Sequence, residues 1–133
     1  MPLKVLIVDD NAESIALLED ILGDSCDCFV ATSGQKALEL FERAITDNVP
    51  FDVVLLDIVM PGMDGIETLK RMRKAELSKQ VRLFGKTTVK TRIIMQTAST
   101  DPTDFMSSFI EGRCNGYVTK PYSRQEILEK VIG

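Results

Sequence analysis

The run Val53-Val54-Leu55-Leu56 carries no polar residue on either of its alternating faces, so a strand built from it must be covered on both sides. Strands of that kind belong to parallel sheets sandwiched between helices. This one delivers a carboxylate, Asp57, to its C-terminal tip, and Pro61 and Gly62 then end the apolar course and leave the acid facing solvent. A second run, Val5-Leu6-Ile7-Val8, ends the same way at Asp9-Asp10. Ligands of open parallel sheets bind beyond the carboxyl ends of the strands. If the two strands are neighbours, three carboxylates meet at one point, and such a point calls for a cation.

The rest of the chain alternates in the same sense. Leu3 to Val8 reads as a strand, and Asn11 caps a helix to about Leu22, with Ile15, Leu18, Ile21 and Leu22 on one face and Gly23 after its end. Asp27 to Ala31 is a short strand, and Ser33 caps a helix marked by Ala37, Leu38, Phe41 and Ile45. Phe51 to Leu56 is the third strand, and Asp64 caps the helix that turns Ile66, Leu69 and Met72 inward. Arg92 to Thr97 is a strand, Pro102 to about Cys114 a helix carrying Phe105, Phe109 and Ile110, and Tyr117 to Lys120 the last strand. Ser123 opens a closing helix with Ile127, Leu128 and Val131 inward. Five β-α units predict an α/β fold, a doubly wound parallel sheet with helices on both faces.

A chain of 133 residues, 44% hydrophobic and 27% charged, suits one folded domain over residues 1–133. A net charge of −4 gives no reason to expect nucleic-acid binding, and no apolar stretch approaches the roughly 20 residues of a membrane span. The N-terminal apolar run stops at Asp9, which is unlike a signal peptide, so the expected location is cytoplasmic. Cys26, Cys28 and Cys114 are an odd set for a disulfide framework, and Cys26-Asp27-Cys28 lacks the second cysteine pair or histidines of a zinc site. They read as reduced structural thiols. With no histidine in the chain, catalysis by Ser-His or Cys-His pairs is closed off, and chemistry falls to carboxylates, Lys120, hydroxyls and a metal.

The stretch from about Ala75 to Thr91 is long for a helix-to-strand connection in such a fold. Residues 70 to 92 hold nine of the sixteen Lys and Arg (Lys70, Arg71, Arg73, Lys74, Lys79, Arg82, Lys86, Lys90, Arg92) against a single acid, Glu76. Two readings stand: a longer third helix followed by a solvated loop or small hairpin, or a docking surface for an acidic partner. Gly85-Lys86-Thr87 echoes a phosphate-binding loop, but Gln80 stands where that motif needs its first glycine.

Four pieces in order, each at a predicted strand end, carry a resemblance over essentially the whole chain. They are Val8-Asp9-Asp10, Leu56-Asp57-Ile58-Val59-Met60-Pro61-Gly62-Met63-Asp64-Gly65, Thr97-Ala98 and Tyr117-Val118-Thr119-Lys120-Pro121. Together they resemble the receiver domain of two-component response regulators, a flavodoxin-like five-stranded sheet of order 2-1-3-4-5. The resemblance implies a phosphorylation-activated switch, not an enzyme in its own right. Asp57 would accept a phosphoryl group from the histidine of a sensor kinase or histidine phosphotransfer protein. Mg²⁺ would bind Asp10 and Asp57 directly, Asp9 through water, and the backbone carbonyl of Val59.

By the same resemblance Lys120 would pair with Asp57 and then with its phosphate, while the Thr97 hydroxyl moves to bond a phosphoryl oxygen and Ala98 offers a backbone N–H. Tyr117 occupies the place of an aromatic that turns inward on activation, though it also fits plain packing. A cis Lys120-Pro121 bond would aim the lysine. Asp64 reads as a helix cap only. Val59 and Ser99 stand at positions that tune loss of the phosphate, and an apolar Val59 orients no water, which implies a long-lived aspartyl phosphate.

A metal-dependent aspartyl phosphatase would place a second acid two residues after the nucleophile, where Val59 stands, and a flavin phosphate would be repelled by the acidic strand ends. The partner downstream is either a separate effector protein or an output domain, DNA-binding or enzymatic, appended to a longer regulator. The short closing helix leans toward the second. A dimer through the face of the helix predicted over 102–114, the last strand and the closing helix is a further expectation.

Overall fold

The computed structural model describes residues 2–84, 91–97 and 114–133. Five parallel strands, β1 (Leu3–Val8), β2 (Cys26–Ala31), β3 (Val53–Asp57), β4 (Arg92–Thr97) and β5 (Gly116–Thr119), form one sheet in the order β2-β1-β3-β4-β5. The described helices are α1 (Ala12–Leu22), α2 (Gly34–Thr46), α3 (Gly65–Phe84) and α4 (Arg124–Val131). The alternation of side chains along each strand splits the core in two. Leu6, Val8, Val54, Leu56, Ile93 and Met95 face Phe41 of α2 and Leu69 and Met72 of α3. Val5, Ile7, Val53, Leu55, Ile94 and Val118 face Leu18 and Leu22 of α1 and Ile127 and Val131 of α4. β3 and β4 therefore need apolar residues on both sides.

The predicted caps are in place. Asn11, Ser33 and Asp64 accept the backbone N–H of Ser14, Lys36 and Glu67 at 3.0, 3.1 and 2.9 Å, and Ser123 forms a reciprocal capping box with Glu126.

The element bounds differ from the sequence reading where tertiary hydrogen bonds intervene. β3 begins at Val53 instead of Phe51, although the Asp52 backbone still bonds both neighbouring strands and its carboxylate accepts the Lys4 N–H at 2.8 Å. It runs on through Asp57, so the acid is the last residue of the strand. β2 begins one residue earlier than expected, at Cys26, and β5 covers Gly116–Thr119, which puts Lys120 just beyond it. Helix α3 continues to Phe84, so the longer-helix reading holds for most of the connection expected over 75–91. The helix expected over 102–114, Ala98, Ser99 and Gly85-Lys86-Thr87 lie outside the described residues.

The N-terminal edge of β4 is locked by a polar network. The buried Glu76 accepts from Arg73 at 2.8 Å and from the Thr91 N–H at 2.8 Å, while Arg73 also donates to the Thr91 carbonyl (2.7 Å) and to Asn115 Oδ1 (2.6 Å). Asn115 Oδ1 in turn accepts the Ile93 N–H at 2.8 Å.

At the opposite edge, the chain leaves β3 through a tight loop in which Gly62 adopts φ +76, a conformation that side chains disfavour. Gly65 then returns so close that its N–H bonds the Ile58 carbonyl at 2.8 Å, and a Cβ there would lie 2.1 Å from the Asp57 carbonyl oxygen. Gly65→Ala should therefore cost about 1–3 kcal/mol, typical of overpacking against backbone. Urea unfolding checks this; an unchanged midpoint would contradict the close approach.

Candidate functional site

The carboxyl ends of β1, β3 and β4 and the segment after β5 meet at one edge of the sheet. Asp9 follows β1 and is fully buried; its Oδ1 accepts the Asn11 N–H at 2.9 Å and its Oδ2 accepts from Lys120 Nζ at 2.9 Å. Asp57 is also buried, accepting the Val59 N–H at 3.2 Å on Oδ1 and Lys120 Nζ at 3.3 Å on Oδ2. Asp10 is exposed, and one oxygen from each of Asp9, Asp10 and Asp57 lies within 4.8 Å of the others. The neighbouring strands β1 and β3 thus do bring the three acids together.

Lys120 reaches this point because its N–H donates to the Thr97 carbonyl at 2.7 Å, and because the chain turns directly afterwards through a cis Lys120-Pro121 bond.

Among the described residues three carboxylates face one ammonium, and the electrostatics follow. Burial, aided by Asp9, outweighs the pull of Lys120 and holds the Asp57 carboxyl above its ordinary 3.8. Burial pulls the Lys120 ammonium down, but hydrogen bonds and attraction from Asp9 and Asp57 outweigh it, so Lys120 stays charged. One cation does not satisfy the site. The donor set is all oxygen, anionic and closely spaced, which fits a small hard divalent ion such as Mg²⁺.

Of the other expected residues, Thr97 is buried at the end of β4 beside this point. Tyr117 is 38% exposed near the middle of β5, opposite Met95, and does not join the cluster. The Val59 side chain is 71% exposed and flanks Asp57. Cys26, Cys28 and Cys114 are free thiols whose burial pushes them up, Cys28 to about 11, which keeps them protonated and unreactive.

Two residues escaped the sequence reading. Gln96 is wholly buried on β4, directly opposite Asp57 in the sheet, and its Oε1 accepts the Tyr122 hydroxyl at 3.4 Å. Its Nε2 has no partner among the described residues, a condition that costs about 1–3 kcal/mol in a buried site. The available signal was a lone amide inside the apolar course Ile93-Ile94-Met95-Gln96.

A sign can be attached to the charge imbalance. Because Asp57 binds its proton more tightly folded than unfolded, its contribution favours folding below about 3.8 and is lost as pH rises through the raised value. Without divalent cations, Asp57→Asn should be more stable than the parent at neutral pH, with the gap closing on acidification. Mg²⁺ at 100 times its dissociation constant should stabilise the parent by about 2.7 kcal/mol and the variant by less. Thermal melts across pH, with and without Mg²⁺, measure both effects; a less stable Asp57→Asn protein at neutral pH would contradict this account.

Comparison with known proteins agrees with this geometry. The family model for the response regulator receiver domain matches residues 5–132. The transcriptional regulatory protein CpxR of Escherichia coli K12 is 31% identical over 129 residues, which is 96% of this chain but 47% of CpxR, so the chain spans about half the length of that relative. Among solved structures, the CheX-CheY complex with BeF3 and Mg from Borrelia burgdorferi matches with TM-score 0.78 and 26% identity, over 99% of this chain and 88% of the matched one. The Saccharomyces cerevisiae complex of the histidine phosphotransfer protein Ypd1 with the receiver domain of Ssk1 matches with TM-score 0.82 and 25% identity, over 98% and 86%. With a buried acid pair bridged by Lys120 at the carboxyl edge of a 2-1-3-4-5 sheet, the chain belongs to the response regulator receiver domain family.

Proposed function

We propose that Asp57 is the phosphoacceptor of a signalling switch, and the placement of Lys120 Nζ 2.9 Å from Asp9 and 3.3 Å from Asp57 is the observation that carries this reading. A carboxylate oxygen of Asp57 attacks the phosphorus of a phosphohistidine on a partner protein. The new P–O bond forms as the P–N bond breaks, and the imidazole leaves. Water later attacks the phosphorus and releases phosphate, restoring the carboxylate. Bound Mg²⁺, held by Asp9, Asp10, Asp57 and the Val59 carbonyl, would offset the repulsion between nucleophile and phosphoryl group.

Lys120 is already aimed at Asp57, so it pairs with a phosphoryl oxygen after a small displacement. The Thr97 hydroxyl and the Ala98 N–H take further phosphoryl oxygens. The added phosphoryl group brings roughly −1.5 to −2 charges, and pulling Thr97 and Lys120 toward it biases β4, β5 and α4 between pre-existing conformations. Tyr117, half out of the surface on β5, is the aromatic whose orientation reports that bias. The chain acts as a regulatory phosphoacceptor and catalyses only its own phosphorylation and dephosphorylation.

The upstream partner is a sensor histidine kinase or a histidine phosphotransfer protein, the class represented by Ypd1 in its complex with Ssk1. Downstream lies an effector protein, with CheX on CheY as a parallel. A second reading, the receiver portion of a longer regulator with a DNA-binding or enzymatic output domain, is favoured by the match to only 47% of CpxR. Among the described residues no helix is long and apolar enough to cross a membrane, and we place the chain in the cytoplasm. A dimer through β5, α4 and the segment preceding β5 would then transmit the signal.

Incubation with acetyl phosphate and Mg²⁺ should add one phosphoryl mass to the parent and none to Asp57→Asn, with chelation abolishing the gain. An equal gain in the variant would sink the assignment. The exposed, apolar Val59 side chain offers no hydrogen bond to an attacking water. Val59→Asn should therefore lose its phosphoryl group several-fold faster, followed by the decay of phosphorylated mass after donor removal; a slower decay contradicts the role given to Val59.

A further inference from the structure

The amide of Gln96 sits in surroundings that suit a leucine. Its Cα partners across the sheet are Asp57 on one side and Val118 on the other. The alternation of β4 puts its side chain on the face of Ile94, packed with Leu55 and Val118. Burying an amide there with Nε2 unpaired is unfavourable, and native proteins keep such groups where they serve a purpose. Among the described residues, the side-chain bond of the amide runs from the Tyr122 hydroxyl to Oε1, and at 3.4 Å it is long for its type.

Tyr122 stands two residues after Lys120. Its hydroxyl feels Lys120, Asp9 and Asp57, and burial raises its pKa, which places it next to the charged cluster. Tyr122 also lines a cleft of about 400 Å³ together with Lys120, Asn11 and Leu17. These links close a ring. Asp57 pairs with Gln96 across the sheet, and the Gln96 carbonyl accepts the Ile58 N–H at 3.0 Å. The Gln96 side chain holds Tyr122, the chain leads back from Tyr122 to Lys120, and Lys120 returns to Asp57 at 3.3 Å.

We propose that Gln96 is a positioning residue for phosphoryl transfer at Asp57: through the Tyr122 hydroxyl it braces the Lys120–Tyr122 turn against β4 and so keeps the Lys120 ammonium at the acceptor. The proposal rests on Asp57 being the phosphoacceptor. Its physical basis is that the main-chain bond from Lys120 to Thr97 fixes only the start of this turn, while the lysine side chain is long and flexible. A misplacement of 1 Å among reacting groups can cost about 10² in rate. An apolar residue at position 96 would remove the hydrogen bond from the Tyr122 hydroxyl to β4 and leave that end of the turn held by packing and the Ser123 cap.

A positioning role and mere structural support differ in what a substitution changes. Gln96→Met keeps length and removes the amide, so its melting temperature should equal or exceed that of the parent. Its rate constant for phosphorylation by acetyl phosphate at saturating Mg²⁺ should fall about three- to tenfold, short of the loss expected for a full 1 Å shift. Tyr122→Phe removes only the hydroxyl and should slow the reaction to a similar degree. Because both variants break the same bond, the double variant should be no slower than the slower single one.

Unchanged rates in both single variants, a fall in melting temperature that accounts for the slower reaction, or losses that multiply in the double variant would each overturn the proposal. The parent and Asp57→Asn are assayed alongside. If the parent gains no phosphoryl group, the phosphoacceptor reading itself fails and takes this proposal with it; if the parent reacts and the variants match it, only the positioning role fails.

Discussion

The ammonium of Lys120, seated between two buried carboxylates, is the interaction on which the arrangement of this molecule turns. Asp9 and Asp57 come from strands that are adjacent in space but 48 residues apart in sequence, and the lysine comes from beyond the far edge strand. Removing charges from water is costly, and one ammonium offsets only part of that cost for two buried acids and an exposed third. The site is built with a deficit of positive charge. That deficit disfavours the cluster on its own and suits a divalent cation. It also explains why the Asp57 carboxyl is held above its ordinary range while the lysine stays charged.

The two edges of the sheet use polar groups in opposite ways. At the N-terminal edge, Glu76, Arg73, Thr91 and Asn115 satisfy one another and the neighbouring backbone, so α3, β4 and the entry to β5 are joined as one unit. At the C-terminal edge, an excess of carboxylate and a buried amide with a free end remain unsatisfied among the described residues. A rigid base beneath a site with unfulfilled bonding capacity suits a switch, since a ligand or modification at the upper edge can be rewarded without the sheet giving way below.

Much of this was legible from residue order. The acids at the ends of apolar runs, the capping residues Asn11, Ser33 and Asp64, and the inward faces of α1 and α2 are local signals, and they fold as read. Boundaries set by distant partners were not. Asp52 binds the Lys4 N–H through its carboxylate at the entry to β3, and nothing near Phe51 announces that. The extent of α3 was open because the residues after Ala75 are good helix formers with little apolar periodicity, and they run without glycine or proline until Gly85. Gln96 drew no notice in the sequence, because its partner Tyr122 stands 26 residues away.

The central claim is that Asp57, and no other side chain, receives the phosphoryl group. Borohydride reduction of the phosphorylated protein converts an aspartyl phosphate to homoserine, and peptide mass mapping then locates the product. The account predicts homoserine at position 57 only, dependent on Mg²⁺ and absent without donor. Homoserine at position 9 or 10, or full phosphorylation with no reducible acyl phosphate at position 57, would contradict it.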